Sequence, residues 1–228
     1  NYTLINQLRS VDIVYFSKGS HSWLRNFFAC ERFYNTVNKL LSFNKKGLIS
    51  SDKKVLDVGS GDKAFFNVCL KKKINISEID GSTGIDFEKD KLPFENESFE
   101  IVIFNAVIEH LYNPNLVLSE IFRILKKGGL LITTAPNYHY GYKYFYDDPT
   151  HVHPYTPRSL IKVLQMNNFA ENFVYPFLVN KSINYWKIPF KFFVASKIPF
   201  RNHTFKKLPI PNFLRGKSTS MISISEKK

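Results

Sequence analysis

The sequence predicts an α/β fold: a mostly parallel sheet with helices on both faces and an antiparallel strand at its C-terminal edge. Strand and helix patterns alternate through the middle of the chain, which indicates right-handed crossovers between parallel strands. Residues 100–104 (EIVIF) form an apolar run after one acid, typical of a parallel strand covered on both faces. The length of 228 residues suits one core.

The first half of the chain contains two predicted helices and two strands, with a short third strand as an option. Apolar residues at helical spacing predict a helix over residues 23–41. We treat residues 1–50 as an N-terminal helical extension and residues 51–228 as the main domain. The further elements are a strand at 54–58, a helix at 62–72, a strand at 75–79 and the short strand at 85–87.

In the second half, strand 100–104 is followed by a helix whose start and end are both marked. Asn113 and Pro114 suit the first turn, and the residues at 126–129 (KKGG) predict its end through cations and a left-handed glycine. A strand follows at 130–134, and Thr156-Pro157 opens a helix to about residue 167. The last strands are expected at 173–177 and 220–225 as an antiparallel pair.

Composition excludes several protein classes. Cys30 and Cys69 are the two cysteines of the sequence, too few for a disulfide framework, and no Cys/His grouping has zinc-finger spacing. The sequence contains no run of about 18 apolar residues, so a membrane span is not expected. We expect a cytoplasmic, bacterial protein.

The net charge of +13 is concentrated toward the C-terminus. Residues 172–228 carry 11 Lys or Arg and a single acid, Glu226, and residues 178–217 mix these cations with aromatic rings. This insertion suits peripheral contact with anionic lipid at the inner membrane face, or a lid over a binding pocket. A nucleic-acid surface and a mere bias of composition are the other interpretations.

The most informative segment is 55–61 (VLDVGSG), where a strand runs into glycines that open a helix. Glycine allows a ligand to approach the backbone closely. The glycines also fit a dinucleotide fingerprint. However, Asp57 would repel a pyrophosphate, whereas it would suit a ligand with an ammonium group.

Four segments together resemble the class I S-adenosylmethionine-dependent methyltransferases, of the small-molecule and glycan type: 55–61, 85–111, 113–137 and 150–160. This resemblance implies a Rossmann-like sheet and S-adenosylmethionine as the cofactor. It also implies cofactor-binding roles for Asp57, Gly59, Ser60, Gly61, Asp80, Asp86, Phe87 and Asn105. Glu78 is the alternative to Asp80 as the acid that binds the ribose. Lys63 departs from the family by standing at a glycine position.

The acceptor side is expected near three histidines, His110, His151 and His153. We predict that they face the methyl group of the cofactor and that one of them acts as a base. An extended chain at 150–155 would put His151 and His153 on one face. A metal is not expected, because no third ligand is evident. Glu109 and His110 alternatively only brace the turn after the strand.

The resemblance implies methyl transfer to a small molecule or a surface-glycan precursor, with oxygen favoured over nitrogen. Asn105-Ala106-Val107-Ile108 lacks the Pro-Pro-Tyr-type pattern of enzymes that methylate amino groups of nucleic-acid bases. An RNA methyltransferase, favoured by charge alone, and a non-catalytic module that binds S-adenosylmethionine remain as alternatives. A dehydrogenase is a remote fourth.

Overall fold

We describe the fold from a computed structural model, in which residues 20–176, 200–202 and 215–228 are described. Most of the predicted insertion at 178–217, and with it the predicted lid or membrane-facing segment, lies outside these residues. Among the described helices, none is both long and apolar enough to cross a bilayer.

The centre of the molecule is a six-stranded sheet of order β2-β1-β3-β4-β8-β5. The first four strands in this order are parallel, and β8 runs antiparallel to both β4 and β5. This confirms the predicted α/β fold with its antiparallel C-terminal strands. The strands are β1 (Lys54–Val58), β2 (Asn75–Ile79), β3 (Phe99–Asn105), β4 (Leu125–Pro136), β5 (Phe169–Pro176) and β8 (Ser220–Lys227). A separate parallel pair is formed by β6 (Phe200–Asn202) and β7 (Arg215–Ser218).

Helices cover both faces of the sheet because the buried strands alternate their apolar side chains between two cores. In β3, Ile101 and Ile103 point into one core while Val102 and Phe104 point into the other. The helices are α1 (Ser20–Phe43), α2 (Ala64–Lys71), α3 (Asn115–Ile124), α4 (Tyr138–Gly141) and α5 (Pro157–Met166). The first core receives α1 and α2, and the second receives α3 and α5.

The predicted N-terminal helix is present and packs directly on the sheet. Val37 and Leu41 of α1 are fully buried, and the ring of Phe33 meets the ring of Phe65 of α2 edge to face, with centroids 5.4 Å apart. This helix therefore shares a core with the main domain.

Two details of the predicted elements are wrong. Residues 85–87 form no strand, because the Asp86 carboxylate caps the amide of Glu88 while the amide of Asp86 donates to Asp90, which makes a turn. Helix α3 ends at Ile124, before the lysines and glycines predicted to end it. Gly128 instead adopts φ +74° where β4 bulges against β3.

Candidate active site

Three loops meet at the carboxyl edge of the parallel strands, the edge where open α/β sheets bind ligands. They follow β1, β3 and β4. The first contains the glycine turn at 59–61, the second residues 106–111, and the third residues 137–156, between β4 and α5. The three predicted catalytic histidines and the predicted cofactor residues Gly59, Ser60 and Gly61 lie in these loops. Asp57 and Asn105 lie in β1 and β3, and Asp80, Asp86 and Phe87 follow β2.

The glycine turn is left-handed at both glycines, with φ +77° at Gly59 and +53° at Gly61. A side chain at Gly59 would collide with Val107 of the second loop, whereas the space beside Gly61 is open. The turn is therefore packed against protein at its first glycine and accessible to a ligand at its second.

Asp57 in β1, two residues before Gly59, carries a buried carboxyl group. It is only 2% exposed, and its Oδ2 atom has no hydrogen-bond partner among the described residues. Burial, and then the charges of Glu78, Asp80 and Asp62, raise the pKa of Asp57 to about 7. A buried carboxyl group without a partner is costly. It therefore fits a ligand that brings an ammonium group to this position.

The two candidate ribose acids at the end of β2 have different partners. Asp80 accepts from the amides of Gly61 (3.0 Å) and Ser82 (2.9 Å), so it joins the glycine turn to the loop after β2. Glu78 accepts from the hydroxyl of Ser60 at 2.6 Å and from Lys63. These bonds, first that of Lys63 and then that of Ser60, lower the pKa of Glu78. Both acids thus touch the turn, and Asp80 contacts its open glycine.

Lys63, the departure from the family pattern, takes over the backbone conformation of the glycine it replaces. Its φ is +58°, in the left-handed region that non-glycine residues rarely adopt. Its ammonium group lies 2.5 Å from Glu78. The ion pair links Lys63 to Glu78 near the end of β2.

The remaining predicted cofactor residues are held by neighbouring structure. Asp86 caps its own turn and pairs with Lys89 at 2.7 Å, while Phe87 is buried in the second core. Asn105 accepts from the hydroxyl of Thr134 at 2.6 Å. Their predicted contacts with the cofactor stay predictions.

On the acceptor side, His110 is oriented by Thr150 and Asp148. Its Nδ1 atom lies 2.8 Å from the Thr150 hydroxyl and 3.2 Å from the Thr150 carbonyl oxygen. The hydroxyl donates to Asp148 at 2.6 Å. Because that hydroxyl proton is engaged and a carbonyl only accepts, Nδ1 carries the ring proton. The lone pair of the neutral ring is then on Nε2.

Glu109 ties the second loop to the third. Its backbone oxygen accepts from the amides of Val152 (2.9 Å) and His153 (3.0 Å). Its side chain is 2% exposed, and Oε2 has no hydrogen-bond partner in the part of the chain that the structure describes. Burial raises the pKa of Glu109 to about 8.

The structure groups two of the three predicted histidines. The rings of His110 and His151 lie 4.8 Å apart, and Nδ1 of His151 lies 2.7 Å from the carbonyl oxygen of Phe145. His153 is instead stacked on Tyr155, with ring centroids 4.6 Å apart. His151 is therefore in ring contact with His110, whereas His153 is in ring contact with Tyr155.

Sequence reasoning assigned no role to Asp148 or Thr150, and it considered Glu109 only as support for the turn after the strand. A local signal was present, since Asp148-Pro149-Thr150 has the composition of an Asx turn, and Asp148 does accept from the Thr150 amide at 2.9 Å. The contact between Thr150 and His110 spans 40 positions and has no local signal.

Comparison with known proteins agrees with this arrangement. Residues 28–171 match the family model described as "Methyltransferase domain". The chain is 33% identical over 85 residues to an uncharacterized protein of Methanocaldococcus jannaschii, which covers 34% of this chain and 42% of that protein. It is 38% identical over 47 residues to a probable S-adenosylmethionine-dependent methyltransferase of Mycolicibacterium smegmatis, covering 21% and 18%. The matches thus span less than half the length of these relatives.

The fold is similar to that of a crystallised SAM-dependent methyltransferase from Archaeoglobus fulgidus. The TM-score is 0.54 at 19% identity, over 85% of this chain and 94% of the other. A likeness at this level concerns the arrangement of strands and helices rather than the acceptor.

Proposed function

The chain belongs to the S-adenosylmethionine-dependent methyltransferases, and on that premise we propose that it methylates a hydroxyl oxygen of a small molecule or surface-glycan precursor. The observation that carries the proposal is the oriented histidine, His110, beside a buried Glu109 at the carboxyl edge of the sheet. Of the possible nucleophiles, a hydroxyl gains most from such a group, because its proton must be removed as the new bond forms.

The cofactor half of the site would be held by the glycine turn and the acids around it. S-adenosylmethionine, when bound, supplies an electrophilic methyl group on a positively charged sulfur. Asp57 would accept from the ammonium end of this cofactor, directly or through water. The open backbone at Gly61 would allow close approach, and Asp80 would accept from the ribose hydroxyls. The residues present therefore fit the cofactor.

The acceptor half would bind and deprotonate the hydroxyl in the cluster formed by Glu109, His110 and His151. The bound cofactor would supply the methyl group, and Nε2 of His110 would accept the proton that the acceptor hydroxyl loses. What the protein contributes is alignment, exclusion of water and a path for this proton. Thr150 and Asp148 fix the ring of His110, so the geometry exists before the acceptor arrives.

Exposed aromatic rings near the third loop support a sugar as the acceptor. Tyr142, Tyr144 and Tyr146 follow β4 and are exposed, as is Tyr112 beside the second loop. Flat aromatic faces commonly receive the apolar face of a sugar ring. The predicted membrane-facing segment at 178–217 would suit a lipid-linked precursor, which is a further part of this proposal.

Transfer of labelled methyl from S-adenosylmethionine to an acceptor panel tests the proposal. The panel contains sugar nucleotides, small hydroxylated compounds, small amines and RNA. We expect label in hydroxylated acceptors, in an ether bond that resists mild alkali. Label confined to RNA would favour the RNA methyltransferase, and tight cofactor binding without transfer to any member would indicate a binding module.

A further inference from the structure

The acceptor cluster of Glu109, His110 and His151 also brings together three side chains that can bind a metal ion. Glu109, His110 and His151 each place one potential ligand atom within 4.8 Å of those of the other two. Two imidazole nitrogens and one carboxylate oxygen form a donor set that suits first-row divalent transition ions. A three-residue site of this kind leaves coordination positions open for water or substrate.

Glu109 supplies an independent reason to place a cation here. Its side chain is almost completely buried, and Oε2 has no hydrogen-bond partner among the residues that the structure describes. Leaving a buried carboxyl oxygen without a partner is unfavourable, and a bound cation would remove that cost. The backbone of Glu109 is also fixed, because it accepts from Val152 and His153 on the strand of chain that carries His151.

The two histidines are arranged as ligating histidines usually are. Nδ1 of His110 faces the carbonyl oxygen of Thr150 at 3.2 Å, and Nδ1 of His151 faces that of Phe145 at 2.7 Å. A carbonyl only accepts, so both rings carry a proton on Nδ1, and the lone pair of each neutral ring is on Nε2. Nε2 of His151 lies 3.8 Å from Oδ2 of Asp148, a second carboxylate beside these donors. Such outer contacts fix the ring and its tautomer in metal sites.

We propose that Glu109, His110 and His151 form a binding site for a divalent transition ion such as Zn²⁺ or Mn²⁺. The role of the ion rests on the proposed function, whereas its binding does not. An ion at this position would lower the pKa of an acceptor hydroxyl, whose proton would then pass to solvent. The ion changes no oxidation state. His110 then serves as a ligand rather than as the base itself.

Metal titration of the tag-free full chain tests the site directly. The protein is stripped with EDTA, desalted and titrated by calorimetry with Zn²⁺, Mn²⁺ or Mg²⁺ alone. We expect one equivalent of Zn²⁺ or Mn²⁺ to bind, and Mg²⁺ to bind at least about tenfold more weakly, because imidazole ligands suit it poorly. Absence of stoichiometric binding by every transition ion would overturn the inference.

His151→Ala and His153→Ala form a matched pair of variants two positions apart. His151→Ala should weaken Zn²⁺ binding by about tenfold or more, and His153→Ala should leave it unchanged, because His153 stacks on Tyr155. Equal effects of the two variants would contradict the assignment. If circular dichroism shows that His151→Ala does not fold, Glu109→Gln replaces it in the Zn²⁺ titration. The visible spectrum of the unmodified chain loaded with Co²⁺ then also shows whether the ion is bound.

The site and the proposed function fail in different ways. Methyl transfer that continues at full rate in EDTA, together with no metal binding, would overturn the site and leave the function intact. Stoichiometric binding that depends on His151, without transfer to any hydroxylated acceptor, would uphold the site and reject the function.

Discussion

A β-carbon added to Gly59 would lie 2.3 Å from Cγ2 of Val107, so the glycine turn after β1 and the loop after β3 are in direct contact. Val107 lies between Asn105 and Glu109, so this contact fixes the cofactor turn against the loop that carries the acceptor residues. A substitution at Gly59 therefore disturbs both loops and cannot report on ligand binding alone.

Gly61 is the better position for testing the cofactor site. We expect Gly61→Val to weaken S-adenosylmethionine binding by about a hundredfold or more, because the side chain fills the open space of the turn. Its φ of +53° also costs stability, on the order of 1–2 kcal/mol. Calorimetry gives the affinity and thermal unfolding gives the stability.

Gly128→Val is the matched control for Gly61→Val. Gly128 has φ +74° and open space around its α-carbon, but it lies at the opposite edge of the sheet, before the central part of β4. A similar loss of stability with unchanged cofactor affinity is expected. If both variants lost the same affinity for S-adenosylmethionine, the loss in Gly61→Val would be due to reduced stability and not to a blocked cofactor site.

Asp80→Asn should weaken the binding of S-adenosylmethionine by roughly 1–3 kcal/mol, the usual effect of losing a hydrogen bond to a charged group. Glu78→Gln should have a smaller effect on affinity, because Glu78 bonds the side chains of Ser60 and Lys63, whereas Asp80 bonds the amide of the open Gly61. Calorimetry on both variants measures the difference. The reverse order would assign the ribose contact to Glu78 and shift our register of β2 by two residues.

Asp57→Asn should change how stability depends on pH. The pKa of Asp57 is about 7 in the folded protein, above its ordinary value of 3.8. Between these values the folded protein keeps a proton that the unfolded chain has lost, so stability falls as pH rises from about 4 to 7. The effect is of the order of a few kcal/mol, at about 1.4 kcal/mol per pKa unit.

Urea unfolding at pH 5 and pH 8 measures this effect in the unmodified chain and in Asp57→Asn. The variant should lose less stability between the two pH values and should also bind the cofactor more weakly. Parallel pH profiles would mean that Asp57 is ionised in the folded protein throughout this range.

His110→Ala should lower the turnover number by about a hundredfold or more while the affinity for S-adenosylmethionine stays the same, because His110 belongs to the acceptor cluster, either as the base or as a ligand of the proposed ion. His139→Ala is the control, since His139 is exposed on α4 and lies outside the acceptor cluster. Loss of cofactor affinity in His110→Ala, or equal losses of turnover in both variants, would remove His110 from the acceptor site.

The sequence was sufficient for the features set by local patterns. The alternating strands and helices and the turn around Gly59 depend on neighbouring residues, and both are present in the structure. The link from His110 to Thr150 depends instead on how two loops meet, across 40 positions. Residues 85–87 were expected to form a short strand, but the carboxylates of Asp86 and Asp90 bond backbone amides there and favour a turn.

Calorimetric titration with S-adenosylmethionine and, separately, with a nicotinamide dinucleotide tests the central claim most directly. Both cofactors bind glycine turns of this kind. Asp57 should favour S-adenosylmethionine, which has an ammonium group, over the dinucleotide, which has a pyrophosphate. We predict stoichiometric binding of S-adenosylmethionine, weakened in Asp57→Asn, and no measurable binding of the dinucleotide. Binding of the dinucleotide, with none of S-adenosylmethionine, would contradict the account.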